Sequence, residues 1–396
     1  MNRLRRSLGP AVLPLLAVLT AFIVGSIFIV ITDFDNLSKL GSDPGAALGG
    51  AIGTVVAAYG ALIVGAFGEP GNYWAAIQSG GDPKAIATAI RPITETLVAA
   101  TPLIFTGLAV AVAFRTSVFN IGVEGQFILG AFGATVAAIV FSEQGLWPPL
   151  VLLLAIIFGI ATGAVWGFIP GFLKARTGAH EVITTIMLNY VAAQIVLYGL
   201  RSDFLRQAGS SQPISKVLTV RMPLMFPDLP AIRLHWGFIL ALIVAALVSW
   251  FLFKTTKGYE LRAAGFNMTA ARYAGMSAGG AIILAMTVSG GLAALGGSME
   301  VLGTVGQMSN DISSGFGFNA IALALLAGNR PSGVVAAALL FGALRTGGGL
   351  MQVKTGIPLD LLFFIQALVI MFVAAPLLIR SIYRMPARST AEVSPV

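Results

Sequence analysis

Apolar runs recur along the chain at 11–32, 93–113, 117–141, 149–172, 181–200, 236–253, 278–302, 315–329, 332–350 and 359–380. Most are near the roughly 20 residues that a helix needs to cross a hydrocarbon core. Short basic or turn-rich stretches separate them. In lipid, a spanning segment must satisfy its own backbone groups, which helices do. The pattern predicts an all-α polytopic membrane protein with roughly ten transmembrane helices. Several runs are rich in Gly and Ala, and the chain has 47 glycines, so close helix–helix packing is expected.

The segment 45–67 is also apolar, but it is mostly Gly, Ala and Val. A crossing there would invert every later helix, and the charges argue against one. With ten spans and both termini inside, 14 of the 24 lysines and arginines fall on the cytoplasmic side. Asp33, Asp35, Asp43, Glu69, Asp82, Asp203 and Asp228 fall outside. Lys and Arg in short loops set orientation. The expected organisation is a cytoplasmic N-terminus (1–10), a first transmembrane helix (11–32), an extracytoplasmic segment (33–92) with 45–67 packed or interfacial, a transmembrane core (93–380) containing a cytoplasmic loop (254–277), and a cytoplasmic tail (381–396). The run 11–32 is longer than a signal-peptide core and has no small-x-small site before Asp33, so it reads as an uncleaved helix. The outer stretch 201–235 contains Pro213, Pro223, Pro227 and Pro230 and is expected to be irregular, with room for one short helix.

Composition agrees with a membrane protein. Hydrophobic residues make up 57% and charged residues 10%, against about 25% charged in soluble domains. Mean hydropathy is +0.90. The net charge of +8 belongs to cytoplasmic loop ends, because no basic patch interleaved with aromatics points to nucleic acid. With no cysteine and only His180 and His235, neither a disulfide nor a histidine metal centre is expected. The chain has no H-E-x-x-H motif, and Ser289-Gly-Gly291 does not complete a nucleophile elbow, so no catalytic residue is assigned.

One carboxylate stands out. Glu124 lies in Phe119-Asn-Ile-Gly-Val-Glu-Gly-Gln126, between two apolar runs. A charge at membrane depth costs a few kcal/mol and marks function or pairing. Gly122 and Gly125 suggest a broken helix near 119–126, as transporters use to expose polar backbone. Glu124 and Gln126 suit substrate contact, and a break would bring Asn120 to the same place. The alternatives for Glu124 are a pair with Arg115 or Arg345, or proton coupling. Phe119, Phe316 and Phe318 either stack on a ring or pack. Asn319 either reads substrate or bonds between helices, and Asn189 is expected to join helices. Arg345 is expected to snorkel to the outer interface. Asp311 and Asp360 sit at helix edges, which leaves an ion-coupled carrier poorly equipped with membrane carboxylates.

In the loop 254–277, Asn267 is a good N-cap and Gly275 a good C′ residue around 268–274. A short capped helix is expected there, its small Ala270, Ala271 and Ala274 presented to a partner's groove. Glu181 opens the second span upstream, 181–200, where a helix N-terminus favours a carboxylate.

The pattern Gly265-x-Asn267-x-x-Ala270-Ala271-x-x-Ala274-Gly275 resembles the coupling loop of ATP-binding-cassette permeases in the branched-chain amino acid, ribose and simple-sugar superfamily. Phe119 to Gln126 is similar to the nucleoside-type permeases of that group, which work with Bmp-type lipoproteins. Glu181-Val-Ile-Thr-Thr-Ile-Met-Leu-Asn189, and Gly315 to Gly328 followed by Pro331-x-Gly333, match as well. The resemblance spans about 93–380. It implies an importer's permease subunit for nucleosides, with simple sugars such as ribose as the alternative cargo. It further implies a homologous second permease, an ATPase with two nucleotide-binding domains, and an extracytoplasmic substrate-binding lipoprotein. Gly265, Asn267, Ala270, Ala271, Arg272, Ala274, Gly275 and Glu181 would then face or serve the ATPase. The chain itself lacks a P-loop: Val353 stands where the glycine before Lys354-Thr355 would be. No cofactor is expected on this chain, and ATP would be used by the partner.

Overall fold

A computed structural model describes residues 2–229 and 231–384. The helices are α1 (Asn2–Thr32), α2 (Phe34–Leu37), α3 (Pro44–Phe67), α4 (Pro70–Gln78), α5 (Pro83–Arg115), α6 (Val123–Glu143), α7 (Pro148–Thr177), α8 (Glu181–Leu200), α9 (Gly237–Lys254), α10 (Thr256–Phe266), α11 (Met268–Tyr273), α12 (Ala278–Met299), α13 (Phe316–Leu326), α14 (Pro331–Thr355), α15 (Leu359–Ala374) and α16 (Pro376–Ile382). Among the described residues there is no strand, only three isolated bridges. Nine helical stretches among them are long and apolar enough to cross a membrane.

The chain divides into two compact units, residues 1–63 with 347–396, and residues 64–346. In the first, α1 packs against α15. The Tyr59 hydroxyl donates to the Phe22 carbonyl at 2.7 Å and ties α3 to α1. Of the tail 381–396, residues 385–396 lie outside the described residues.

In the second unit, α12 packs against α7, α6 and α5. Small residues make these contacts. A Cβ on Gly290 would stand 2.2 Å from the Gly163 carbonyl oxygen, so α12 and α7 touch backbone to backbone. This is how membrane helices gain dispersion contacts that lipid cannot supply. The second half of α5 is apolar on nearly all sides, and residues 100–113 are buried throughout, as a helical stretch without a polar face requires.

Several boundaries differ from the sequence reading. The segment 45–67, expected outside the bilayer, forms the 24-residue helix α3, which with α4 meets the length and apolarity of a span. α5 starts ten residues earlier than its apolar run, because Asp82 accepts the Lys84 and Ala85 amides and Pro83 occupies the first turn. The run 315–329 gives only 11 helical residues, about 16 Å, too short to cross. The run 359–380 breaks at Ala375, because Pro376 disfavours a helical residue before it. The loop 254–277 holds two helices: Thr255 caps α10 by accepting the Gly258 amide at 3.0 Å. The loop 201–236 has no helix among its described residues. It lies over the end of α12, where residues Glu300–Val305 form a π-helical turn and the Met222 amide donates to the Leu302 carbonyl at 2.9 Å.

Candidate functional site

α5 ends at Arg115, and the chain unwinds through residues 116–122 before α6 begins. The break expected near 119–126 thus falls before Val123, and Glu124 to Gln126 occupy the first turn of α6. Ser117 takes a φ of 54°, which is uncommon without glycine. Its hydroxyl donates to the Gly265 carbonyl at 2.6 Å. A Cβ on Gly265 would lie 2.1 Å from the Arg115 carbonyl oxygen. The α10–α11 elbow therefore rests directly on the unwound turn.

Asn120 is fully buried beneath this turn. Its Nδ2 donates to Gln126 Oε1 at 2.9 Å and to Ser289 Oγ at 2.8 Å. Its Oδ1 accepts the Gly122 amide at 3.0 Å and Gln126 Nε2 at 3.3 Å. The Ser289 hydroxyl donates onward to the Ala109 carbonyl at 2.7 Å. Asn189 on α8 completes the clasp, donating to the Ile121 carbonyl at 3.0 Å and accepting the Gly125 amide at 2.9 Å. Buried polar groups so fully paired fix one geometry. Asn120 and Gln126 hold the broken helix, and Asn189 joins helices as the sequence suggests.

Glu124 is buried, and its Oε2 accepts the Gly317 amide at 2.8 Å. Gly317 lies in the first turn of α13, entered through Gly315 at φ 79°. A Cβ on Gly317 would stand 2.4 Å from the Glu124 nitrogen, so the two helix starts meet closely. Helix N-termini carry partial positive charge, and a carboxylate between two of them is stabilised by both. Neither Arg115 nor Arg345 is its partner. Arg115 donates to the Asn329 and Gly328 carbonyls at 2.9 and 3.3 Å. The Arg345 guanidinium lies over the Phe316 ring, 4.5 Å from its centroid.

The other expected aromatics are not gathered there. Phe316 is buried between Arg345 and Phe127. Phe318 is 53% exposed and Asn319 half-buried. Phe119 points elsewhere, lining a cavity of about 570 Å³ with Lys174, His180, Glu181, Met268 and Arg272. Glu181 pairs with Lys174 there, and its Oε1 accepts the Phe119 amide at 3.5 Å.

On the elbow, Asn267 accepts the Thr269 and Ala270 amides, both at 3.0 Å, and Gly275 adopts φ 80°. Both expected caps are present. Ala271, however, is buried, because a single helical turn leaves it on the inner side. The free face carries Ala270, Arg272 and Ala274 with Phe266 and Tyr273, which are 88% and 90% exposed.

Sequence reasoning missed Ser289 as a hydrogen-bond hub and Glu300 as a second membrane carboxylate. Like Glu124, Glu300 is a lone carboxylate within an apolar run, Ser298-Met-Glu300-Val301.

Residues 93–374 match the family described as branched-chain amino acid transport system / permease component, and the chain belongs to it. Three relatives are similar over most of its length. The guanosine ABC transporter permease protein NupP of Bacillus subtilis is 43% identical over 290 residues, covering 73% of this chain and 82% of its own. The nucleoside ABC transporter permease protein NupB of Lactococcus lactis is 38% identical, covering 73% and 80%. The glucose ABC transporter permease protein TsgB13 of Haloferax volcanii is 38% identical, covering 71% and 75%. No solved structure matches the chain.

Proposed function

We propose that this chain is the membrane-spanning permease subunit of an ATP-driven nucleoside importer in a bacterial cytoplasmic membrane. The observation that carries the reading is the meeting of two interrupted helices at Glu124, tied through Ser117 and Gly265 to an exposed elbow. Transporters place their path at such half-helix ends. The relatives named for guanosine and nucleosides support the cargo. A homologous second permease would close the path, and a binding lipoprotein would deliver cargo from outside. A separate ATPase with two nucleotide-binding domains would grip Phe266, Ala270, Arg272, Tyr273 and Ala274. Its closure would push α10 and α11 against residues 115–117 and so shift the start of α6 relative to α13. Substrate contact falls to Phe318 and Asn319 and to the Glu124 region in another state of the cycle, while Phe119 and Glu181 stand at the cytoplasmic mouth.

An elbow that meets the ATPase would lie in the cytoplasm, and the clustering of basic residues in short loops supports both termini on that side. On this orientation α3 does not complete a crossing. The glucose-named relative supports simple sugars as a second cargo. Competition separates the two: uptake of labelled guanosine by the complete transporter is expected to be blocked by unlabelled nucleosides and unaffected by excess glucose or ribose. Blockage by the sugars would favour the second cargo.

A further inference from the structure

A cavity of about 750 Å³ opens where α9 ends and α10 begins. Thr255 fixes this corner: its hydroxyl donates to the Phe251 carbonyl at 2.6 Å and accepts the Gly258 amide at 3.0 Å. Gly258 lets α10 sit against the last turn of α9, because a Cβ there would collide with the Phe251 carbonyl oxygen. The walls carry Lys254, Lys257 and Arg262 against one carboxylate, Glu260. Lys257 occupies that carboxylate, at 2.8 and 3.0 Å from its two oxygens. Lys254 and Arg262 have no ion pair among the described residues. Arg262 makes no hydrogen bond among them either, and its Nε is buried without a partner. The Arg262 guanidinium lies 5.2 Å from the Phe253 ring centroid and 5.9 Å from that of Tyr259, so aromatic faces hold it in place. Arg115 lies over the same Phe253 ring, at 5.5 Å, and adds positive charge nearby. Two cations of the cavity thus stand without a carboxylate, and one is the planar donor fork that takes phosphate in bidentate fashion.

The surface leading to the cavity says which phosphate. α9 is long and apolar enough to cross a membrane. Ile243, Leu247 and Trp250 are 51%, 55% and 59% exposed, and their spacing puts them on one face of the helix. Lys254, four residues on, continues that face and lines the cavity. An exposed apolar stripe therefore runs along the span into a basic cavity, with Trp250 one turn before it, at the level where tryptophan meets headgroups. A soluble phosphate uses the cavity alone, whereas a phospholipid uses both, its acyl chain on the stripe and its phosphodiester in the cavity. A zwitterionic headgroup fits less well, because its ammonium finds only Glu260, already held by Lys257.

We infer that the α9–α10 corner binds the headgroup of an anionic phospholipid, with Lys254 and Arg262 on its phosphate. Basic pockets at the ends of spanning helices take such headgroups. The bound lipid anchors α10, and with it the elbow, to the membrane surface. The site does not depend on which cargo is carried.

The test is native mass spectrometry of the full chain and of the permease–ATPase complex, each titrated with phosphatidylglycerol or phosphatidylethanolamine. Wild type is expected to retain phosphatidylglycerol in preference to phosphatidylethanolamine in both. Lys254→Gln combined with Arg262→Gln should weaken phosphatidylglycerol binding roughly tenfold or more, the effect of two juxtamembrane charges. Arg176→Gln combined with Arg380→Gln, which removes as much charge from the ends of α7 and α16, should leave it unchanged. Equal weakening in that control, or none in the first variant, overturns the site. Displacement of the lipid by millimolar glycerol phosphate also overturns it, by assigning the cavity to a soluble anion. Loss of the lipid when the ATPase binds overturns it too, by assigning the cavity to that partner. Should the first variant fail to insert, wild type decides: equal binding of the two lipids contradicts the proposal.

Discussion

The Glu124 carboxylate accepts the Gly317 amide at 2.8 Å, across 193 residues of chain. This bond joins the starts of α6 and α13, two helices that begin inside the protein. Leaving a buried donor unpaired costs about 1–3 kcal/mol. Glu124→Ala is therefore expected to lower the melting temperature in nanodiscs and to abolish uptake. Glu124→Gln keeps an acceptor in place and should lose less stability. A melting temperature unchanged in Glu124→Ala would mean that the carboxylate does not hold the helix starts.

The elbow separates two kinds of alanine. Ala270 is exposed and Ala271 buried. Ala270→Glu should insert and melt normally yet lose ATP-driven uptake, because the charge meets the ATPase. Ala271→Glu should destabilise the chain by several kcal/mol, since an unpaired carboxylate is forced inward. Thermal melts of the isolated subunit tell them apart. Equal melts for the two variants would place Ala271 on the free face after all.

His235 gives a pH signature. It lies outside the spans, its Nδ1 accepts the Gly237 amide at 3.1 Å, and burial pushes its pKa down to about 4. In the unfolded chain it titrates near 6.5. Between those values the unfolded chain holds a proton that the folded one refuses, so stability is full above about pH 6.5 and falls as pH drops toward 4. The total is about 3 kcal/mol. The loss of melting temperature between pH 7 and pH 4.5 should shrink in His235→Gln. An equal loss in that variant would show that His235 is not the group responsible.

The sequence displayed the class of fold because apolar runs report membrane residence directly. It displayed the caps of α11 because Asn267 and Gly275 act locally. It did not display the Glu124–Gly317 bond, since nothing in either segment names its distant partner. It also hid the inward turn of Ala271, which depends on what lies beneath a single helical turn. The length of α5 was obscured because an apolar window stops where polar residues begin, whereas Asp82 and Pro83 let the helix run on. Nor did the sequence display that Asn120 and Gln126 bond to one another, because polar residues in apolar runs look alike, whether they face a path or one another.

The placement of α3 is open to direct labelling, since the natural chain has no cysteine. Ser42 precedes the helix and Ser79 follows α4. With both termini cytoplasmic, Ser42→Cys and Ser79→Cys are expected to react with an impermeant maleimide from outside the cell. Reaction from opposite sides would make α3 a crossing helix and reverse the assignment of the N-terminus.

The most direct measurement is nucleoside accumulation in proteoliposomes, with and without the ATP-hydrolysing partner. Accumulation is expected only when that partner, its ATP, the second permease and the binding protein are all present. Concentration of guanosine by this chain in the absence of any ATPase, driven by an ion gradient alone, would contradict it.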